Sequence, residues 1–185
     1  MNSGVQLNYI YLGTEGCKPE KLRFELRGKD SEVTFLGFIV GKDSHKFNFE
    51  TEVVHKSPES KARIGVQAAL YDRSRVNFRG NLAIAKNAVG SDTYLGHHTL
   101  LLSDNARTHT LPALEIEADD VKAGHAATVG KVNADDMYYL NCRGIGKKMA
   151  EQLLIIGFFE KQLSLVEDVD LRNSLRQAII KSLPF

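Results

Sequence analysis

The stretch RIGVQAALYDRSRVNFRGNLAIA, residues 63–85, decides the fold. Apolar side chains fall at every second place, at Ile64, Val66, Ala68 and Leu70 and again at Val76, Phe78, Leu82 and Ile84. A period of two is that of a strand with one face buried. The residues between the two segments are polar and short, yet they do not look like a tight two-residue hairpin turn, and Asn-Gly and Asp-Gly are absent from the whole chain.

The same alternation extends in both directions. RFELRG, EVTFLGFIV and HKFNFETEVV precede the stretch, HTLLL and ALEIEA follow it, and Gly, Asn, Asp, Ser or Pro separate the segments from Val5 to about Val129. No helical stripe interrupts them, which excludes a βαβ architecture and leaves a sandwich, a barrel or a β-solenoid. The scarcity of hairpin turns leans toward the solenoid, in which inward Val, Ile, Leu and Ala form a continuous ladder while the corners vary in length. No exact repeat period is visible.

After Gly130 the pattern changes. Asn133 is a helix N-cap ahead of ADDMYYL, whose acids face the positive end of the helix dipole, and RGIG ends that helix. A second helix, KKMAEQLLIIGFFEKQL, carries Met149, Leu153, Ile156 and Phe158 or Phe159 at three- and four-residue spacing. A third, EDVDLRNSLRQAIIKSL, carries Val169, Leu171, Leu175, Ile179 and Leu183 on a similar stripe, with Pro184 beyond it. The expected architecture is a mainly β chain: a β core over residues 1–131 and a helical tail of about three helices over 132–185.

Composition bounds the function. The 185 residues suffice for one domain with a real core. Lys and Arg number 24 against 23 Asp and Glu, a net charge of +1, so no overall field attracts nucleic acid or an anionic membrane. Two cysteines far apart, Cys17 and Cys142, exclude a disulfide framework and a four-thiolate metal site and fit a reducing, cytoplasmic setting. The first residues have neither the basic leader nor the apolar core of a signal peptide. LLIIGFF falls far short of the roughly 20 residues that cross a bilayer, so no membrane insertion is expected and a permease is excluded. There is no GxxxxGK[ST] loop, so ATP chemistry would belong to a partner.

Residues 100–130, LLLSDNARTHTLPALEIEADDVKAGHAATVG, followed by MYYLNCRGIGKKMAEQLLIIGFF, resemble the core and C-terminal signature of the SufB/SufD family, scaffold components of iron-sulfur cluster assembly. VVHKSPES, SRVNFRGNLAIAKNA and SDTYLGHHTLLLS upstream follow the family's order, so the resemblance covers about the last two-thirds of the chain. It implies a right-handed parallel β-helix, dimerisation through its C-terminal coils, with a SufB-type subunit or with itself, and C-terminal helices that dock an ABC-type ATPase, SufC. Members carry a sizeable helical region before the β-helix, whereas this sequence enters strands almost at once. The implied role is a non-enzymatic scaffold.

His125 aligns with the histidine of the family's SHGATVG-type motif, which the resemblance makes a metal ligand for an iron-sulfur cluster at a subunit interface. Flanked by Gly124 and Ala126, it reads equally as a histidine bonded to a carbonyl at a strand bend. Ala106 stands where SufB-type chains carry a cysteine, so the chain looks SufD-like and holds no cluster alone: thiolates, which clusters chiefly require, must come from a partner. For the ATPase contact the resemblance and the residue types point to Tyr138, Tyr139, Arg143, Gly144 and Ile145, against the reading that Tyr139 and Leu140 close the last coil.

Other candidates rank lower. Cys142 reads as a half-buried structural thiol and Cys17 as an exposed bystander. His97 and His98, adjacent on a strand, point to opposite faces and cannot chelate one metal together. His109 is expected to hydrogen-bond at a turn near Pro112. A polysaccharide-cleaving β-solenoid enzyme using Glu115, Glu117, Asp119 and Asp120 is the alternative, although the alternation puts Glu115 and Glu117 on one solvated face with Leu114 and Ile116 inward.

Overall fold

The computed structural model describes residues 4–16 and 20–184. Nine strands come first: β1 (Gln6–Gly13), β2 (Glu20–Leu26), β3 (Glu32–Gly41), β4 (Lys46–His55), β5 (Lys61–Leu70), β6 (Arg75–Ile84), β7 (Asp92–Leu101), β8 (Arg107–Ile116) and β9 (Lys122–Gly130). Three helices follow, α1 (Ala134–Cys142), α2 (Lys147–Leu163) and α3 (Val169–Ser182). Odd strands form one sheet, β1-β3-β5-β7-β9, and even strands the other, β2-β4-β6-β8. Every pairing is parallel. The chain therefore winds between two sheets as a solenoid; Cys17 lies outside the described residues.

A repeat does exist. Glu32 pairs with Lys61, Lys61 with Asp92 and Asp92 with Lys122, so successive circuits take 29, 31 and 30 residues. On the opposite sheet Lys46 pairs with Arg75 and Arg75 with Arg107, circuits of 29 and 32 residues. The variation is absorbed at the corners. There Asp43 and Asp72 take positive φ values of 55° and 51°, and the Asp43 amide donates to Asp72 Oδ2 at 2.9 Å. The other corner repeats the device at Asp30, Glu59 and Gly90, with φ of 56°, 58° and 73°.

In-register parallel pairing stacks like-facing side chains into columns. The lumen between the sheets is filled by such columns, among them an aromatic stack in which Tyr9 lies 5.6 Å from Phe35, Phe35 5.4 Å from Phe49 and Phe49 6.2 Å from Phe78, centroid to centroid. Gly80 makes room for this packing, because a Cβ there would sit 2.1 Å from Leu95 Cδ1.

The tail lies against the flank of the coil, not across its end. The outward side chains Leu36, Phe38, Val40, Ala69 and Tyr71 form a second core with Ile155, Phe159, Leu163, Val166, Leu175, Ile179 and Leu183. This explains why β3 is apolar on both faces. Gln162 Nε2 donates to the Gly37 carbonyl at 2.8 Å and Gln67 Nε2 to the Phe158 carbonyl at 2.9 Å, fastening α2 to the sheet. The buried face of α2 is thus Ala150, Ile155, Phe159, Gln162 and Leu163. This corrects the expected stripe: Met149 and Leu153, taken as inward, are 53% and 43% exposed. Val169 and Leu171 of α3 likewise face out, while Leu175, Ile179 and Leu183 are buried as expected.

Candidate functional site

Because the tail sits on the flank, the last rung, made of β8 and β9, is left open. Its edges have no further strand: β8 and β9 end their sheets. Side chains that face the lumen on this rung are only half covered. Thr108, Thr110, Pro112 and Leu114 are intermediate in exposure, and Ile116 and Val129 are 45% and 55% exposed.

His125 belongs to this rung. It pairs in register with Leu95, a fully buried core residue, so its side chain shares the inward face while remaining exposed through the open end. His125 is therefore presented at the mouth of the lumen, flanked along the inward face by the small side chains of Ala123 and Ala127.

One rung deeper lies His97, fully buried. Its Nδ1 is 2.5 Å from Thr110 Oγ1 and its Nε2 3.5 Å from Thr99 Oγ1, and its ring packs 5.0 Å from that of Phe78. Burial pushes its pKa down to about 4, with the neighbouring His98 adding to the effect, so the ring is neutral near pH 7. The expected opposition of the two adjacent histidines holds: His98 points outward, where its Nδ1 lies 2.8 Å from Thr128 Oγ1. His97 itself carried no functional expectation. The signal was available, since in TYLGHHTLL it falls in phase with Thr93, Leu95 and Thr99.

Other candidates are dispersed. His109 stands in the middle of β8 on the outer face, not at a turn, where it borders a groove of about 260 Å³ with Asn77 and Arg79. Glu115 is also on the outer face and accepts from Asn81 Nδ2 at 3.0 Å, whereas Glu117, Asp119 and Asp120 belong to the segment that follows β8. Cys142 is exposed, which overturns its reading as a half-buried thiol. Among the described residues no three His, Cys, Asp or Glu side chains converge to hold a metal ion. The donors near the mouth are imidazoles and hydroxyls without a thiolate, a set that fits part of a metal site and not a whole iron-sulfur cluster.

The helical tail presents a separate surface. Asn133 caps α1, its Oδ1 accepting from the Asp135 amide at 2.9 Å. Gly144, at φ +82°, ends the helix, with its own amide donating to Asn141 O at 3.0 Å and the Ile145 amide to Leu140 O at 3.1 Å. That is a Schellman stop, so Gly144 and Ile145 have a structural task whatever binds nearby. Tyr138 and Tyr139 are 72% and 57% exposed, and the Arg143 guanidinium lies 5.0 Å over the Tyr139 ring.

Residues 2–158 match the family described as SUF system FeS cluster assembly, SufBD core domain. The chain belongs to the SufBD family. Relatives in the family include an iron-sulfur cluster assembly SufBD family protein of Mycobacterium leprae, 32% identical over 85% of this chain and 42% of its own length. The iron-sulfur cluster assembly protein SufD of Escherichia coli is 28% identical over 86% of the chain and 38% of its own length. SufD of Bacillus subtilis is 38% identical over 65% of the chain and 28% of its own length. The chain thus spans about two-fifths or less of the SufBD proteins it matches. No helix among the described residues is long and apolar enough to cross a membrane.

Proposed function

We propose that this chain is a SufD-like scaffold subunit of SUF iron-sulfur cluster assembly, not an enzyme in itself, that pairs through its last rung and is moved through its helical tail. The observation that carries the reading is the open rung. Two unpaired strand edges, β8 and β9, flank a lumen mouth at which His125 is exposed, and edges of that kind are templates for pairing with another chain. A SufB-type subunit or a second copy seated there would bring its own side chains to His125. The cluster is cargo, with thiolates supplied by the partner, because the donors at this mouth contain no thiol.

The tail supplies the other contact. Tyr138, Tyr139 and Arg143 offer aromatic and guanidinium anchors beside the exposed Met149 and Leu153 of α2, a composition suited to docking a SufC-type ATPase. Because Gln162 and Gln67 tie α2 to the sheet, movement imposed on the helices reaches the coil.

Two assays test the reading. Pull-down with a SufC-type ATPase is expected to fail for Tyr139→Ala combined with Leu153→Asp, at unchanged melting temperature; capture by this variant at the parental level rules out the tail as the dock. Anaerobic reconstitution with iron and sulfide is expected to give cluster absorbance only when a SufB-type chain is added, and to lose it with His125→Ala. Cluster absorbance from this chain alone contradicts the incomplete ligand set.

A further inference from the structure

We infer that the outer face of the even-strand sheet, over β6 and β8, is a docking surface for an extended acidic peptide of a partner protein. The surface is separate from the two contacts proposed above: the tail covers the other sheet, and pairing at the last rung uses strand edges, not outward side chains.

The first argument is the placement of charge. On β2 and β4 the outward charges answer one another: Lys21 reaches Glu50 at 3.0 Å and Arg23 reaches Glu52 at 3.1 Å, each pair opposite in register. Outward along β6 run Arg75, Asn77, Arg79 and Asn81, and along β8 run Arg107, His109, Leu111, Ala113 and Glu115. The one acid of these two rows, Glu115, is at the far end and accepts from Asn81. Among the described residues no carboxylate forms an ion pair with Arg75, Arg79 or Arg107. Glu50, opposite Arg79, is drawn to Lys21, and Asp104 is held by Lys131 at 2.8 Å.

The second is register. Lys46 pairs with Arg75 and Arg75 with Arg107, so three cations stack in one outward column about 4.8 Å apart. Like charges directly opposite on neighbouring strands destabilise a sheet. An anion laid over the column relieves that repulsion. Arg107 Nη1 is fixed by the carbonyls of Asp104 and Ala106 at 2.6 and 2.8 Å, whereas Arg75 and Arg79 make no side-chain hydrogen bond among the described residues and keep their N–H groups for a ligand.

The third is shape. Arg75, Asn77 and Arg79 recur at every second residue, about 6.6 Å apart, which is also the spacing of alternate side chains in an extended peptide. A segment with acids at alternate positions, laid along β6, sets carboxylates over both guanidinium groups, which take them through paired donors. Asn77 is held between them by donating from Nδ2 to Asn48 Oδ1 at 2.8 Å. Leu111, opposite Arg79 and 45% exposed, adds an apolar contact on the wall of the groove that His109 borders. Glu50 and Glu52 on one side and Glu115 on the other bound the patch with negative charge, which favours a short acidic peptide over a long nucleic acid.

The test is fluorescence anisotropy of the whole chain at low ionic strength with a labelled peptide of alternating Glu and Thr. Its Gln-for-Glu counterpart, labelled oligothymidylate and inorganic phosphate serve as comparisons. The variant is Arg75→Gln with Arg79→Gln. The control, Arg23→Gln with Arg27→Gln, removes the same charge from arginines that are already paired with Glu52 and Glu25. The Glu peptide is expected to bind parent and control alike, the Gln peptide to bind neither, and the variant to bind the Glu peptide weaker by on the order of tenfold. Thermal melts are expected to place the variant no lower than the parent, because it breaks the column of cations. Equal binding by parent and variant, an equal loss in the control, or no binding by the parent overturns the inference. Displacement of the peptide by inorganic phosphate at matching concentration overturns it in favour of a compact anion site, and preference for oligothymidylate in favour of nucleic acid. The scaffold reading is judged separately, by the pull-down and the reconstitution.

Discussion

His55 shows how much a single buried polar side chain can say. It is fully buried, its Nδ1 lies 2.8 Å from Ser60 Oγ, and its Nε2 has no partner. Desolvation, aided by the Arg63 cation, lowers its pKa to about 4. The unfolded chain therefore binds more protons between about pH 6.5 and pH 4, and the stability present above pH 6.5 is lost as pH falls through that window. Equilibrium unfolding of the parent and of His55→Leu is expected to show a difference that shifts in favour of the variant from pH 7 to pH 4; a constant difference refutes the assignment. Gly80 offers a second test at this scale. Gly80→Ala drives a methyl into Leu95 and is expected to cost about 1–3 kcal/mol in denaturant unfolding. Neither residue announced itself in the sequence: His55 carries the same alternation as its apolar neighbours, and the need for glycine at 80 arises from a side chain on another strand.

At the scale of elements, strands were legible and faces of helices were not. Each strand advertises itself because period two is imposed by one lumen, and α1 was placed by the Asn133 cap that the structure contains, while α3 starts at a cap, Asp168, that the sequence reading took as part of the helix. The face of α2 was misjudged because LLIIGFF is apolar on every side, so periodicity alone does not choose between Leu153 and Ile155. The choice is made by the outward apolar patch of β3 and β5, which no local window reveals. Phe159→Ala, in the centre of that contact, is expected to cost about 3–5 kcal/mol. Gln162→Leu preserves volume but removes the bond to the Gly37 carbonyl, a loss of about 0.5–1.5 kcal/mol. Hydrogen exchange is expected to rise in α2 and α3 first while β3 to β6 keep their protection; uniform loss across the strands contradicts a tail that sits on a finished coil.

For the whole molecule, the repeat stayed hidden because the circuits differ by up to six residues, from 26 between Gln6 and Glu32 to 32 between Arg75 and Arg107, and successive rungs fill the lumen with different side chains, Phe35 giving way to Ile64 and then Leu95. Of the candidate site, His125 was singled out through its surrounding motif, while its place at an open mouth was not legible, because that depends on which rung is last. On the proposed pairing, the edges of that rung set the association behaviour. Ile116→Lys puts a charge on the open face at a residue 45% exposed, and sedimentation is expected to show weaker pairing with a second copy or a SufB-type chain at little change in melting temperature. Pairing of undiminished strength places the interface elsewhere.

A coil of this kind is held like a stack of coins, each turn resting on the one before, and the turn bearing His125 has no neighbour above it. Its amides are expected to exchange with solvent ahead of those of the buried rungs. On the proposed pairing, a subunit seated there would firm up this turn, so association and local order would rise together.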